Sequence, residues 1–444
     1  MLKPTGFLGH PRGLAFLFGS ELWERFSYYG MRALLVLYMV EYLLKPERLD
    51  AALGLAGLKQ GLEAVLGPLA PQPLASQIYG LYTGLVYLTP ILGGLLADRF
   101  LGRTRTIALG AAMMVSGHFM MADERLFLIA LLLIAFGCGA FKPNISTQVG
   151  ELYAPGDARR DRAYSIFYVG INIGAFFAPL VCGTLGETVG WHYGFAAAGV
   201  GMAIGLGAYL SGRAYLPTQS RPAAPRESAP FRRALLSILL LFPSSTLFWA
   251  AFEQQGNTIA LWASQFTDRS VDFFGWRADI PVTWFQAFNP LMIFLFTPPL
   301  VAFWGRLARQ GREPSTLRKM AFGCLGLALS YGVMALAASQ GVEKASWLWL
   351  LAYFVVITLS ELHFSPIALS LVSRLAPEGS RSALMGAWFT SMFLGNLLAG
   401  WLGGFWSGIT RVNFFLLMAG LGVAGAVFVE AARRPLGDLP SPRE

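Results

Sequence analysis

Apolar residues run through this chain in long blocks, not in the short alternating stretches of a half-buried sheet. A helix that crosses a bilayer needs about 20 mostly apolar residues. Twelve such blocks are predicted, over about 13–41, 77–97, 104–122, 125–148, 163–186, 193–212, 234–261, 282–305, 318–340, 346–374, 383–407 and 412–432. The third, sixth, ninth and twelfth read as the most purely apolar. The first, fourth, seventh and tenth hold nearly all the charge that falls inside a block. This rhythm predicts four three-helix repeats, the first helix of each lining a central cavity. It divides the chain into a six-helix bundle over 1–212, a basic, Pro-rich linker over 213–233, a second six-helix bundle over 234–434 and a tail over 435–444.

Two connections stand out. Residues 43–76 are too long for a simple turn, and Leu58, Leu62, Val65, Leu66 and Leu69 recur there at helical spacing. They predict a short amphipathic helix at the outer surface; Pro68, Pro71 and Pro73 argue against a re-entrant segment. Residues 262–281 carry Asp268, Arg269, Asp272, Arg277 and Asp279 and predict a solvated connection.

Composition narrows the class. Only 13% of the 444 residues are charged, against roughly 25% in soluble domains. Mean hydropathy is +0.53. These values exclude a disordered chain, a nucleic-acid-binding domain and an ordinary soluble enzyme. The net charge of +9 is explained by position: Lys and Arg favour the side that holds both termini by roughly three to one, which makes that side cytoplasmic. Glu21, Glu24 and Arg25 inside the first block argue against a cleavable signal. Cys138, Cys182 and Cys324 lie singly in apolar stretches, a pattern for neither metal nor disulfides.

An ionisable residue at mid-membrane costs ~2.5–3.5 kcal/mol on insertion scales and is functional by default. Glu21, Glu24, Arg25, Arg32, Lys142, Glu253 and Glu361 all lie in apolar blocks. Ion pairs that only hold helices together are the alternative. Glu21, Glu24, Arg25, Tyr28, Tyr29 and Arg32 are spaced by three or four and form one polar stripe. Two carboxylates beside a guanidinium suit a site that a proton enters and leaves. Tyr28 and Tyr29 add hydroxyls and ring surface, with core packing as the alternative.

The run Glu21-x-x-Glu24-Arg25-Phe26-x-Tyr28-Tyr29-Gly30 resembles the first-helix motif of the proton-dependent oligopeptide transporter (POT) family, within the major facilitator superfamily. Further segments resemble the family in order: Gly93 to Arg103 with Asp98-Arg99, Phe141-Lys142-Pro143-Asn144, Phe167 to Gly174 with Asn172, Phe248 to Gln254 with Glu253, Asn289-Pro290, Ser360 to Pro366 with Glu361, and Trp388 to Gly400. The resemblance spans nearly the whole chain. It implies an all-α membrane protein with twelve transmembrane helices in two six-helix halves. The two extra helices that many bacterial members carry between the halves have no room in 213–233. His363 stands where the family pattern expects an apolar residue and reads as a packing histidine.

A dipeptide is a zwitterion with variable side chains, so a tolerant site grips both ends and leaves room between them. Arg25, Arg32 and Lys142 suit the carboxylate. Glu361, with Asn172 and Asn289, suits the ammonium. Tyr28, Tyr29, Tyr79, Trp249 and Trp388 can wall the side-chain space. The resemblance implies these same roles, with Glu21, Glu24, Arg25 and Glu253 coupling protons. Arg32–Glu253 and Lys142–Glu361 are the expected gating pairs between halves, and Pro143 and Pro366 can bend helix ends. The Asp98-Arg99 loop reads as an inner latch, with a solvated basic turn as the alternative.

No Gly-x-x-x-x-Gly-Lys-Ser/Thr run occurs, so no ATP hydrolysis and no cofactor is expected, and the proton gradient supplies the energy. His10, His118, His192 and His363 make no metal-binding spacing, which argues against an enzyme. The expected partners are a di- or tripeptide, protons and the lipid bilayer, without nucleic acid. The chain is expected as a monomer in a bacterial cytoplasmic (inner) membrane, crossing it many times, with both termini inside. A carrier of another small solute such as nitrate, and a sensor without transport, are the alternatives.

Overall fold

In hydrocarbon each backbone N–H and C=O must find its partner within the segment, so long apolar blocks become helices. The computed structural model describes residues 6–154, 156–217, 229–273, 276–377 and 381–436. Among these, twelve helices have 18 residues or more: α1 (Arg12–Tyr38), α2 (Pro71–Leu96), α3 (Arg103–Met120), α4 (Phe127–Glu151), α5 (Arg159–Ala178), α6 (Trp191–Gly212), α7 (Ala229–Phe252), α8 (Phe288–Arg309), α9 (Thr316–Ser339), α10 (Leu348–Leu375), α11 (Arg381–Gly403) and α12 (Arg411–Leu436).

Ten of the twelve, taken with their flanking turns, are long and apolar enough to cross a membrane. The other two are α1 and α3. Helix α1 falls outside because of Glu21, Glu24, Arg25 and Arg32. Helix α3 carries Arg103 and Arg105 in its first turn, which corrects the reading of the third block as one of the most apolar. Large apolar side chains face outward along the helices, among them Leu295, Val301, Leu329 and Val427. Such a surface suits acyl chains and not water.

The chain forms two compact units. One comprises Met1–Pro71, Leu85–Pro222 and Pro281–Ala287; the other comprises Gln72–Gly84, Ala223–Ile280 and Phe288–Glu444. Helix α2 is therefore shared between them. In the first unit α1 packs on α5 and α6, and α3 packs on α4 and α6. In the second, α9 packs on α10 and α12, α7 packs on α11 and α12, and α8 packs on α10. Glycines let backbones meet: a Cβ on Gly93 would stand 2.0 Å from the Gly139 carbonyl oxygen, and one on Gly80 would stand 2.6 Å from Gly400 Cα. Small residues at such crossings are the usual means of close helix packing in membranes. Pro143 and Pro366 each lie inside a helix.

The connections differ from expectation in instructive ways. The amphipathic segment is helical over Leu55–Leu66. Its Glu63 carboxylate accepts the Leu69 N–H at 2.9 Å and lies 3.4 Å from Lys59, and the Leu69 bond holds Glu63 below the usual carboxylate range. Residues 262–281 are not a plain solvated connection. A helix continues to Gln265, Thr267–Asp268 pairs in parallel with Ala345–Ser346, and Ser270–Phe273 pairs antiparallel with Trp276–Asp279. Alternating apolar residues here carry a strand period that the charges obscure. Of the expected linker, 218–228 lies outside the described residues. Residues 229–233 already belong to α7, because Pro230 in a first turn costs no hydrogen bond. Of the expected tail, 437–444 lies outside the described residues.

Residues 281–287 join the first unit largely through the Glu187 carboxylate, with Trp284 donating to Thr184 and Gln286 to the Ala33 carbonyl. Glu187 accepts Val282 N–H at 2.7 Å, Thr283 N–H at 2.8 Å and Thr283 Oγ1 at 2.6 Å. It caps the 3₁₀ turn Val282–Ala287 as an acidic residue caps a helix start.

Candidate functional site

The helical period brings the α1 stripe together. Glu21, Glu24 and Arg25 are 1%, 0% and 3% exposed. Arg25 Nε lies 3.1 Å from Glu21 Oε1, Arg25 Nη2 donates to Glu24 Oε1 at 2.7 Å, and Arg25 Nε also meets Glu24 Oε2. A buried charge is tolerable only when it is paired and hydrogen-bonded, and here two carboxylates share one guanidinium. Among the described residues, Glu21 Oε2 has no hydrogen-bond partner. The cluster therefore holds an acidic excess and a carboxylate oxygen available to a proton.

Neighbouring helices fix this arrangement. A Cβ on Gly174 would meet the Leu22 carbonyl oxygen at 2.2 Å and Arg25 Cβ at 3.0 Å, so α5 lies directly against the guanidinium's stem. The Arg25 guanidinium sits 5.6 Å from the Tyr28 ring centre, and that of Arg32 sits 5.9 Å from the Tyr29 ring centre. The two tyrosine rings meet edge to face at 5.3 Å. From α4, Lys142 Nζ lies 5.2 Å from the Tyr87 ring centre, within cation–π range. Cys138, one turn before Lys142, donates to Glu24 Oε1 at 3.6 Å. Asn172 on α5 is buried and donates to the Tyr168 carbonyl at 3.0 Å.

The second unit holds two more intramembrane carboxylates. Asn289 on α8 donates to Glu361 Oε2 on α10 at 2.8 Å and to Thr358 Oγ1 at 3.1 Å. Of the three residues expected at an ammonium, the structure thus brings Glu361 and Asn289 together, while Asn172 belongs to the other unit. Glu253 is 1% exposed and opens a 3₁₀ turn where α7 ends. Tyr79 Oη donates to its carboxylate at 3.4 Å. Beside it, Ser76 donates to Asn257 Oδ1 at 2.9 Å, and Asn257 and Thr258 both donate to Gln254 Oε1. Gln254 in turn donates to the Ala399 carbonyl on α11 at 2.8 Å. Trp388 and Trp249 are buried. His363 places Nδ1 2.7 Å from the Leu359 carbonyl oxygen and packs edge-on to Trp304, as a packing histidine does.

At the helix ends, Asp98 lies 3.6 Å from Arg103, which also meets Glu151, whereas Arg99 is exposed. At the end of α4, the Tyr153 hydroxyl lies 2.8 Å from His10 Nδ1. Asp157 nearby is held down to about 2 by its hydrogen bonds from the Arg159 side chain and N–H. Sequence reasoning missed Cys138, Tyr87 and the Ser76–Asn257–Gln254 network. The i, i+4 spacing from Cys138 to Lys142 was the signal available for the first.

Comparison with known proteins identifies the family. The POT family model matches residues 104–230 and 226–416. The chain is 35% identical to the peptide transporter YePEPT of Yersinia enterocolitica, over 90% of this chain and 88% of the relative. It is 34% identical to the di-/tripeptide transporter of Lactococcus lactis subsp. cremoris, over 97% and 96%. A crystal structure of a peptide transporter POT in complex with sulfate matches with TM-score 0.83 and 30% identity, covering 98% of this chain and 97% of that one. A POT family transporter in complex with 5-aminolevulinic acid matches with TM-score 0.84 and 26% identity, covering 98% and 99%. A family model that covers most of the chain, with relatives matched over nearly its full length, makes this multi-pass membrane protein a member of the POT family.

Proposed function

We propose that this protein moves di- and tripeptides together with protons across the bacterial cytoplasmic membrane by alternating access, as a monomer with both termini inside. The observation that carries the reading is the buried Glu21–Glu24–Arg25 cluster: ionisable groups at membrane depth are costly, and apolar residues of similar volume often pack as well or better. Relatives named as peptide transporters support the substrate class.

In this reading, protonation of the cluster loosens its hold on Arg25, which then turns toward a substrate carboxylate with Arg32 and Lys142. Glu361, oriented by Asn289, takes the ammonium with Asn172. Tyr28, Tyr29, Tyr79 and Trp388 shape the space between. Glu253 pairs with Arg32, and Lys142 with Glu361, in alternation as the site opens to each side. A proton falling through 100 mV releases about 2.3 kcal/mol, so neither ATP nor a cofactor is needed and the chain is a carrier rather than an enzyme. The test is uptake of labelled dialanine into proteoliposomes under an inward proton gradient. Accumulation that is competed by di- and tripeptides and not by nitrate is expected. Uptake that ignores the gradient refutes the coupling, and failure of peptides to compete refutes the substrate.

A further inference from the structure

The chain's three cysteines are all buried and free, but their surroundings differ. Cys182 packs against Gly30, where an added Cβ would stand 2.6 Å from its sulfur, and Cys324 packs against Gly425. Cys138 instead points its thiol at a buried carboxylate, 3.6 Å from Glu24 Oε1. Its direction is imposed by its neighbours. A Cβ on Gly137 would stand 2.6 Å from the Gly110 carbonyl oxygen on α3, and one on Gly139 would stand 2.4 Å from Thr89 Oγ1 on α2. Helix α4 is thus pinned on two sides at the residues that flank Cys138. That fixes its rotation and aims Cys138 and, one turn later, Lys142 from the same face of the helix.

We propose that Cys138 is a positioning residue of the proton site: its S–H donates to Glu24 and holds that carboxylate on the Arg25 fork, so that the cluster accepts its proton at the working pH. The proposal rests on the proton-coupled reading above. Within this unit the titratable groups facing Glu24 are Glu21 and Arg25 on α1, with Cys138 and Lys142 on α4; α5 and α6 bring Gly174 and Gly205 to α1. A donor to a carboxylate favours its charged form. Loss of the thiol therefore lets the cluster protonate at higher pH, and the alkaline limb of the uptake profile moves up. A thiol is a weak donor, so the displacement is smaller than loss of a charged partner would give.

The experiment measures proton-driven dialanine uptake against pH in proteoliposomes for wild type, Cys138→Ala and Cys138→Ser, with melting temperature as a check on folding. The expected result is an alkaline limb displaced upward in Cys138→Ala and returned to the wild-type position in Cys138→Ser, which keeps a donor of similar size. If Cys138→Ala does not accumulate, Cys138→Val fills the space without a donor and takes its place in the same comparison. A donor-less variant whose limb coincides with wild type overturns the proposal. So do equal shifts in the Ser and donor-less variants, because shape and not the donor would then be responsible. Wild-type uptake that is indifferent to the gradient would overturn the functional reading itself, and the wild-type arm shows that separately.

Discussion

The two units bury their charge in different ways. In the first, Glu21, Glu24 and Arg25 lie within one and a half turns of a single helix, and opposite signs meet there directly. In the second, Glu361 and Glu253 sit on different helices and receive neutral donors, the Asn289 amide and the Tyr79 hydroxyl. Two carboxylates that share one guanidinium can take up a proton without large reorganisation, because the counter-ion to the remaining charge is built in. A carboxylate that accepts from an amide is oriented without being neutralised by that donor. In the proposed function, this contrast corresponds to proton handling on α1 and ammonium recognition on α10.

The sharpest way to break this comparison is to remove the built-in counter-ion. Arg25→Ala leaves two buried carboxylates without their guanidinium, and stripping one partner from a buried pair costs about 3–5 kcal/mol. A large drop in melting temperature together with loss of uptake is expected. Glu361→Gln, which removes a charge but keeps shape and hydrogen bonding, should leave melting nearly unchanged while peptide uptake falls. Equal thermal losses in the two variants would erase the distinction.

A second test acts on orientation. Asn289→Ala removes one hydrogen bond to a charged group, worth about 1.5–3 kcal/mol. Peptide KM should rise at least tenfold, with the pH profile of uptake unmoved. A moved profile would put Glu361 in the proton path.

A third test separates packing from charge. Gly174→Ala drives a methyl to 2.2 Å from the Leu22 carbonyl oxygen, and overpacking of this kind costs roughly 1–3 kcal/mol. Melting should fall moderately, and the pH profile should shift because Arg25 is displaced. A thermal loss with an unmoved profile would mean that α5 does not set the guanidinium.

The smallest effect lies outside the helices. Asp157 is held at about 2 by Arg159, below the ~3.9 of a free aspartate. Its contribution to stability is present above about pH 4 and is lost as pH falls through that interval. Asp157→Asn should flatten the acid limb of thermal stability slightly and leave peptide uptake unaffected.

How much of this was legible beforehand follows from sequence separation. The α1 cluster could be read because a helix brings residues three and four apart together, whatever surrounds it. The same period found the Leu55–Leu66 helix. The Asn289–Glu361 pair joins residues 72 positions apart, and the Tyr79–Glu253 contact joins residues 174 apart. Charge inside apolar blocks pointed to Glu253 and Glu361 singly, but their partners across the fold could not be read from spacing. Cys138 resisted both approaches, since its meaning depends on the glycine crossings that aim α4. The strands within 267–279 were hidden because a two-residue period a few positions long is easily masked by charge. The third block looked apolar although it contained Arg105, and the helix starts one residue earlier, at Arg103.

The central claim is that the α1 carboxylates couple proton entry to peptide movement. The most direct measurement compares two assays on Glu21→Gln in proteoliposomes: concentrative dialanine uptake under an inward proton gradient, and exchange of labelled against unlabelled dialanine with no gradient. The account predicts that gradient-driven accumulation is lost while exchange persists, because glutamine keeps the shape of the site but cannot release a proton. Accumulation at the wild-type level in Glu21→Gln would contradict it.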